Sequence, residues 1–359
     1  MAMTGATRGE LQKHAEHGFP LLPAGSQIVL DDVTYDEVIS SLKASLTLNK
    51  PRLVASLRAY SDISLADFAD ALGTEAERLV KNASWTDLRR QAGLSVDDRT
   101  TPDEAELLRR RHMFFRVDDR ARLDAYRAWL SADAPAYGAA SPELQRFGRM
   151  LHGIVWPKGG RTTWADGLAH LASCRPACDE FLAILDIAED RIRHVSQPLP
   201  GPLSATGLAS HATYAREEIL AALDQTAEAS QTISHREGVY WSPTWQTDAL
   251  LVTLKKSDAL FSPSTMYHDY AMGPEVFHWQ SQSRTTPISP TGQRYIHHQE
   301  QGSHVVLFAR TTSTRDEFGH TPGFMCLGTA RYRSSEGSAP MSVIWDLDRP
   351  LPADMYQAA

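Results

Sequence analysis

Ala249-Leu250-Leu251-Val252-Thr253-Leu254 decides the fold class of the C-terminal half. A short apolar run with β-branched members suits a strand buried on both faces and is too brief for a core helix. Val305-Val306-Leu307-Phe308-Ala309 and Ser342-Val343-Ile344-Trp345 read the same way, as does Phe324-Met325-Cys326-Leu327-Gly328, which the glycine is expected to end. Turn signals separate these runs at Ser289-Pro290-Thr291-Gly292, Gly302-Ser303 and Ser335-Glu336-Gly337. Short strands at such spacing predict a small β-barrel or sandwich.

Upstream the pattern changes. One short helix is expected over about Ala215 to Leu223. Before it, Pro198, Pro200, Gly201, Pro202 and Gly207 mark a linker. From Val33 to Arg193 apolar residues recur at helical spacing, as in Val38, Leu42, Leu46 and again in Leu65, Phe68, Leu72. Ser64, Ser141-Pro142-Glu143 and Thr162 or Thr163 are helix starts, Thr101-Pro102-Asp103-Glu104 is a capping box, and Gly73 is a stop. The expected organisation is α+β: an all-helical region over 1–196, a linker over 197–213 and a β-rich module over 214–359.

Composition narrows the function classes. No run of about 18 apolar residues exists, so no membrane span is expected. Met1 to Gly18 lacks the apolar core of a secretory signal, and Cys174, Cys178 and Cys326 are too few for a disulfide framework, which together imply a reducing cytoplasm. A net charge of -8 disfavours broad, non-specific nucleic-acid binding, which needs a basic face, so a DNA reader must hold its positive charge locally. There is no phosphate loop, no H-x-K nuclease motif and no G-x-S-x-G elbow, so no catalysis is expected of this chain. Asp248 and Lys255 only weakly suggest a restriction-type nuclease core, since Thr253 stands where a second acid belongs.

Chemistry-bearing side chains crowd between Tyr267 and His298. A base extruded from a duplex needs an aromatic face to stack on and an amide or carboxylate to meet its pairing edge. Tyr267, Asp269, Trp279 and Tyr295 are the candidate base pocket, with Asp269 placed to accept the exocyclic amino group of cytosine. Gln280, Ser281, Gln282, Ser283, Arg294 and His297 are the candidate DNA contacts. The competing expectation is that the aromatics are core and the glutamines cap strand edges. No metal site is expected: His297 and His298 would point to opposite faces of a strand, and Pro176 should break the helix that would align His170, Cys174 and Cys178. Arg109-Arg110-Arg111-His112 with Arg116 reads as a solvated helix face or a phosphate contact.

Several blocks carry a family resemblance. They are Tyr214-Ala215-Arg216-Glu217-Glu218-Ile219, Thr253-Leu254-Lys255-Lys256-Ser257, Met266-Tyr267-His268-Asp269-Tyr270-Ala271, Phe277 to Ser283, Thr291 to Ile296, Leu327-Gly328 and Ala339 to Trp345. Over about Leu208 to Pro352 the chain resembles domain-of-unknown-function 3427, a module at the C-terminus of bacterial helicases that often begin with a phospholipase-D-like nuclease. Gly18 to Gly25 and Met150 to Trp156 look like the coupler between motor and module in the same proteins. The resemblance extends to modification-dependent (type IV) restriction enzymes and implies an SRA/PUA-like β-barrel core that flips a cytosine, with or without a 5-methyl group. It implies DNA and the parent helicase and nuclease domains as partners, a homo-oligomer as one assembly, and no cofactor. A protein-interaction domain that docks a helicase without touching bases is the alternative, favoured by the acidic balance of the C-terminal half.

Overall fold

The computed structural model describes residues 49–156, 163–224, 235–255, 269–316 and 318–358. They fall into two compact units that divide between Val96 and Asp97. In the first unit, α1 (Lys50–Leu57), α2 (Leu65–Ala71), α3 (Ala76–Leu79) and α4 (Trp85–Ala92) bury Leu57, Leu65, Phe68 and Leu88. Ser64 caps α2 by accepting the Asp67 N–H at 3.0 Å. The Val38 stripe lies outside the described residues.

The second unit opens with α5 (Glu104–Leu108), α6 (Arg120–Leu130), α7 (Pro142–Val155), α8 (Trp164–Ser173) and α9 (Arg175–Asp190). Ser141 and Thr163 cap α7 and α8 through their hydroxyls. The Thr101 capping box does not form: α5 starts at Glu104, Asp103 makes no side-chain cap, and the Thr100 hydroxyl donates to Glu104 instead. Pro176 sits in the first turn of α9, so the chain breaks at Cys174. The stretch 197–213 holds β1 (Gln197–Pro198), a 3-10 turn, β2 (Ala209–Ser210) and the first residue of β3 (Thr213–Tyr214), with Leu199, Leu203 and Leu208 buried.

The remainder is α10 (Arg216–Ala222), β4 (Val239–Ser242), β5 (Thr247–Lys255), β6 (Tyr270–Gly273), β7 (Val276–Gln280), α11 (Pro290–His297), β8 (His304–Thr312), β9 (Phe324–Glu336), β10 (Ser342–Leu347) and α12 (Ala353–Ala358). The principal sheet runs β4-β5-β8-β9-β10-β7-β6, with β3 added on β9. All its pairs are antiparallel except β5 with β8, where Thr253 stands opposite Arg310.

Four expectations are corrected here. The sheet is open, because the parallel β5–β8 seam sends the intervening β6 and β7 to the far edge, and β4 and β6 do not meet among the described residues. It still curls: Leu250 and Val252 of β5 share one core with Phe277 and Trp279 of β7 and Val343 and Trp345 of β10. Gly328 does not end its strand. It adopts φ +103 at a register shift between β8 and β9, where a bulge favours a residue without Cβ. Ser289-Pro290 opens α11 rather than a turn, since the Ser289 hydroxyl accepts the Gly292 N–H at 3.1 Å and proline suits a first helical turn. His297 and His298 therefore end a helix and are not strand neighbours.

Helices and sheet are tied by one buried ion cluster. Arg122 of α6 donates to Glu218 of α10 at 3.0 Å, to Asp118 at 3.1 Å and to the Thr213 carbonyl at 2.8 Å. Its Nε is also 2.9 Å from Asp119, and its guanidinium lies 4.3 Å from the centre of the Tyr214 ring. Glu218 accepts from the Tyr126 hydroxyl and the Ala215 N–H, each at 2.7 Å.

Candidate nucleic-acid interface

The end of β7 and the residue leading into β6 build one wall of a cavity of about 420 Å³. This wall carries Asp269, Trp279, Gln280 and Gln282; Leu251 and Thr253 of β5, Arg310 of β8 and Arg216 of α10 face it. The Asp269 carboxylate accepts the Gln280 N–H at 2.9 Å, which fixes it against the strand end. The Gln282 amide donates to Glu237 at 2.6 Å across the mouth. Arg310 donates to the Thr253 hydroxyl at 3.0 Å and lies 4.4 Å from the centre of the Phe324 ring. Arg216 donates to the Glu237 carbonyl at 2.7 Å. The cavity thus unites a largely buried indole, two amides, the carboxylates of Asp269 and Glu237 and the guanidiniums of Arg216, Arg236 and Arg310, groups able to hydrogen-bond a planar polar ring.

The other candidates lie elsewhere. Tyr267 falls outside the described residues. Tyr295 is fully buried and meets Trp279 edge-on at 5.4 Å, so it supports the cavity from behind without lining it. Ser281 is fully buried; its hydroxyl accepts the Met341 N–H at 2.9 Å and pins β7 to the start of β10. Ser283 is exposed in the turn beyond. Arg294 is held by Asp248 through two hydrogen bonds of 2.6 and 2.8 Å and lies 4.1 Å from the centre of the Trp241 ring. Asp248 itself is 0% exposed, and burial raises its carboxyl above the ordinary value despite the Arg294 bonds. His297 pairs with Glu300 at 3.0 Å at the end of α11. Among the described residues no group of three His, Cys, Asp or Glu is placed to hold a metal ion.

A second cleft, of about 570 Å³, adjoins the first and shares Arg216 and Arg310 with it. Arg110, Arg116 and Arg315 also line it, with Glu217 the one lining carboxylate among the described residues. His112 and His320 stack there with ring centres 4.1 Å apart. Burial lowers the proton affinity of Arg110, Arg116 and Arg216, and burial together with Arg216 brings Arg310 down to about 10. His112 falls to about 3 through burial first, then through the charges of His320, Arg110 and Arg116. Sequence reasoning singled out neither Arg216 nor Arg310 as a contact. A usable signal existed for Arg310: it follows Val306 and Phe308 on one strand face, where both are fully buried, so a charge there is out of pattern.

Residues 208–359 match a family described as a domain of unknown function (DUF3427). That is less than half of the chain, but it contains the whole lining of the first cavity and all of the second except Arg110, His112, Met113 and Arg116. No curated protein matches the chain.

Proposed function

We propose that the chain is a DNA-recognition module that takes one extruded base, a cytosine with or without a 5-methyl group, into the Asp269–Trp279 cavity. In this proposal it serves the helicase and nuclease domains of a parent defence protein and performs no catalysis itself. The convergence of Asp269, Trp279, Gln280 and Gln282 on one cavity is the observation that carries the reading. Its volume sits in the lower part of the ~300–1,000 Å³ range of small-molecule sites, enough for a single base. Trp279 supplies aromatic surface, Asp269 an acceptor for the cytosine amino group, and the glutamines donors and acceptors for the rest of the pairing edge. A methyl group adds only about 1 kcal/mol of apolar burial, so discrimination by the methyl group is expected to be modest.

Fluorescence anisotropy with duplexes carrying a central 5-methylcytosine, cytosine or thymine tests this. A fluorescent cytosine analogue at the same position should brighten as it leaves the stack. The cytosine duplexes should bind more tightly than the thymine duplex, and Asp269→Ala should reduce that preference roughly tenfold, within the ~1–3 kcal/mol of a good base contact, while the fold persists. Equal failure on all three duplexes removes the proposal and leaves a helicase-docking role.

A further inference from the structure

We infer that the cleft lined by Arg110, Arg116, Arg216 and Arg310 binds phosphate groups of a nucleic-acid strand beside the base cavity, with the helical region and the β module each supplying one wall. That the ligand is a strand rests on the function proposed above. That the cleft takes an anion rests on its own chemistry.

Among the described residues five guanidiniums line the cleft against the one carboxylate of Glu217. Among the described residues, no carboxylate stands within ion-pair distance of Arg110, Arg116, Arg216 or Arg310. Their contacts are neutral: Arg110 donates to the Ile154 carbonyl at 2.6 Å, Arg216 to the Glu237 carbonyl and Arg310 to the Thr253 hydroxyl. Phe324 lies under both Arg310 and Arg216, at 4.4 and 5.4 Å. Such contacts orient a guanidinium without neutralising it. Half-buried cations that repel one another are an unfavourable arrangement until an anion arrives, and the planar donor fork of arginine fits phosphate. The lowered proton affinity of all four agrees with an unfilled demand for negative charge.

The position of the cleft selects the kind of phosphate. Arg216 and Arg310 belong to both cavities, so a nucleotide whose base enters the first places its backbone against them. Arg110 and Arg116 then extend the track away from the base. The arrangement also reconciles DNA binding with a net charge of -8, since the positive charge is gathered in one cleft.

A duplex with an abasic site separates the two cavities, because it offers backbone and no base. The full chain should bind it with an affinity that falls as salt rises. Arg116→Gln and Arg315→Gln should each weaken binding several-fold and lower the salt slope by about one. Asp269→Ala should leave abasic binding unchanged. If both arginine variants bind the abasic duplex like the parent chain, with the same slope, the inference is overturned even where base preference stands. If the arginine effects appear and Asp269→Ala changes nothing on any duplex, the base reading fails and the phosphate cleft remains. Inorganic pyrophosphate should compete only at millimolar concentration; competition as tight as the duplex would reassign the cleft to a free phosphate compound. Thermal melts of each variant confirm that the fold is retained.

Discussion

Two sets of arginines in this molecule meet opposite fates. Arg122 and Arg294 stand against carboxylates: the buried Glu218 and Asp119 with the half-buried Asp118 for the first, the buried Asp248 for the second. Arg110, Arg116, Arg216 and Arg310 share a cleft, in which Arg110 and Arg216 touch carbonyls, Arg310 a hydroxyl, and Arg216 and Arg310 the Phe324 ring. The first set is finished chemistry: each charge has its partner, and the pair holds elements together. Among the described residues the second set meets no carboxylate at ion-pair distance, an arrangement that fits the anion site proposed above. Counting arginines cannot separate the two; only partners and burial do.

The contrast can be broken most severely at the ion cluster. Glu218→Ala strips acceptors from Arg122, Tyr126 and the Ala215 N–H and leaves a buried cation short of its partner. A loss of about 3–5 kcal/mol is expected, read from urea unfolding midpoints. A loss under 1 kcal/mol would mean that the cluster is not what joins α6 to α10.

Arg294→Leu comes next, at about 3 kcal/mol near neutral pH, because Asp248 would be buried as an unpaired anion. Its sign with pH is fixed. Burial holds the folded Asp248 above its ordinary 3.8, so the folded chain takes up that proton more readily than the unfolded chain. The deficit should therefore be smallest at acid pH, where Asp248 is protonated in both folded chains, and full only above the still higher value that Asp248 takes once Arg294 is gone, as unfolding curves across pH would record.

His112 reports on the cleft. Its folded value of about 3 lies below the ordinary 6.5, so its contribution to stability is present above 6.5 and is lost as pH falls toward 3. The slope should approach one proton, about 1.4 kcal/mol per pH unit, and Arg116→Gln or added pyrophosphate should move the His112 titration upward in proton NMR. An unmoved titration would place His112 outside the field of the arginines. The smallest effect is the sharpest: without DNA, Arg116→Gln should change stability by no more than about 0.5 kcal/mol, in contrast to Arg122. A cost of several kcal/mol would return Arg116 to the structural set.

Much of the fold is legible in local signals. The apolar runs at 249–254 and 305–309 became β5 and β8, because burial on both faces leaves an unmistakable composition, whereas 342–345 became β10, which alternates and buries only the face of Val343 and Trp345. Serine and threonine caps at Ser64, Ser141 and Thr163 worked because capping depends on a few neighbouring residues. Sheet closure was not legible, since it depends on the pairing of β5 with β8 across a long stretch of chain. One wall of the first cavity was visible for the same reason: Asp269, Trp279, Gln280 and Gln282 lie close in sequence. Thr253, Arg310 and Arg216 come from distant elements, and only the curl of the sheet brings them opposite. Arg294 misled because an exposed contact and a buried partner of Asp248 look alike in sequence.

The parallel seam between β5 and β8 has a consequence for how the site comes into being. Hairpins such as β9–β10 close short loops and need little help, whereas the seam must first overcome the entropy of looping out everything between Lys255 and His304. Thr253 and Arg310 meet only through that late event. A slip of one residue in the seam would turn Arg310 to the other side of the sheet, leaving strands of normal length with no guanidinium at the junction of the two cavities.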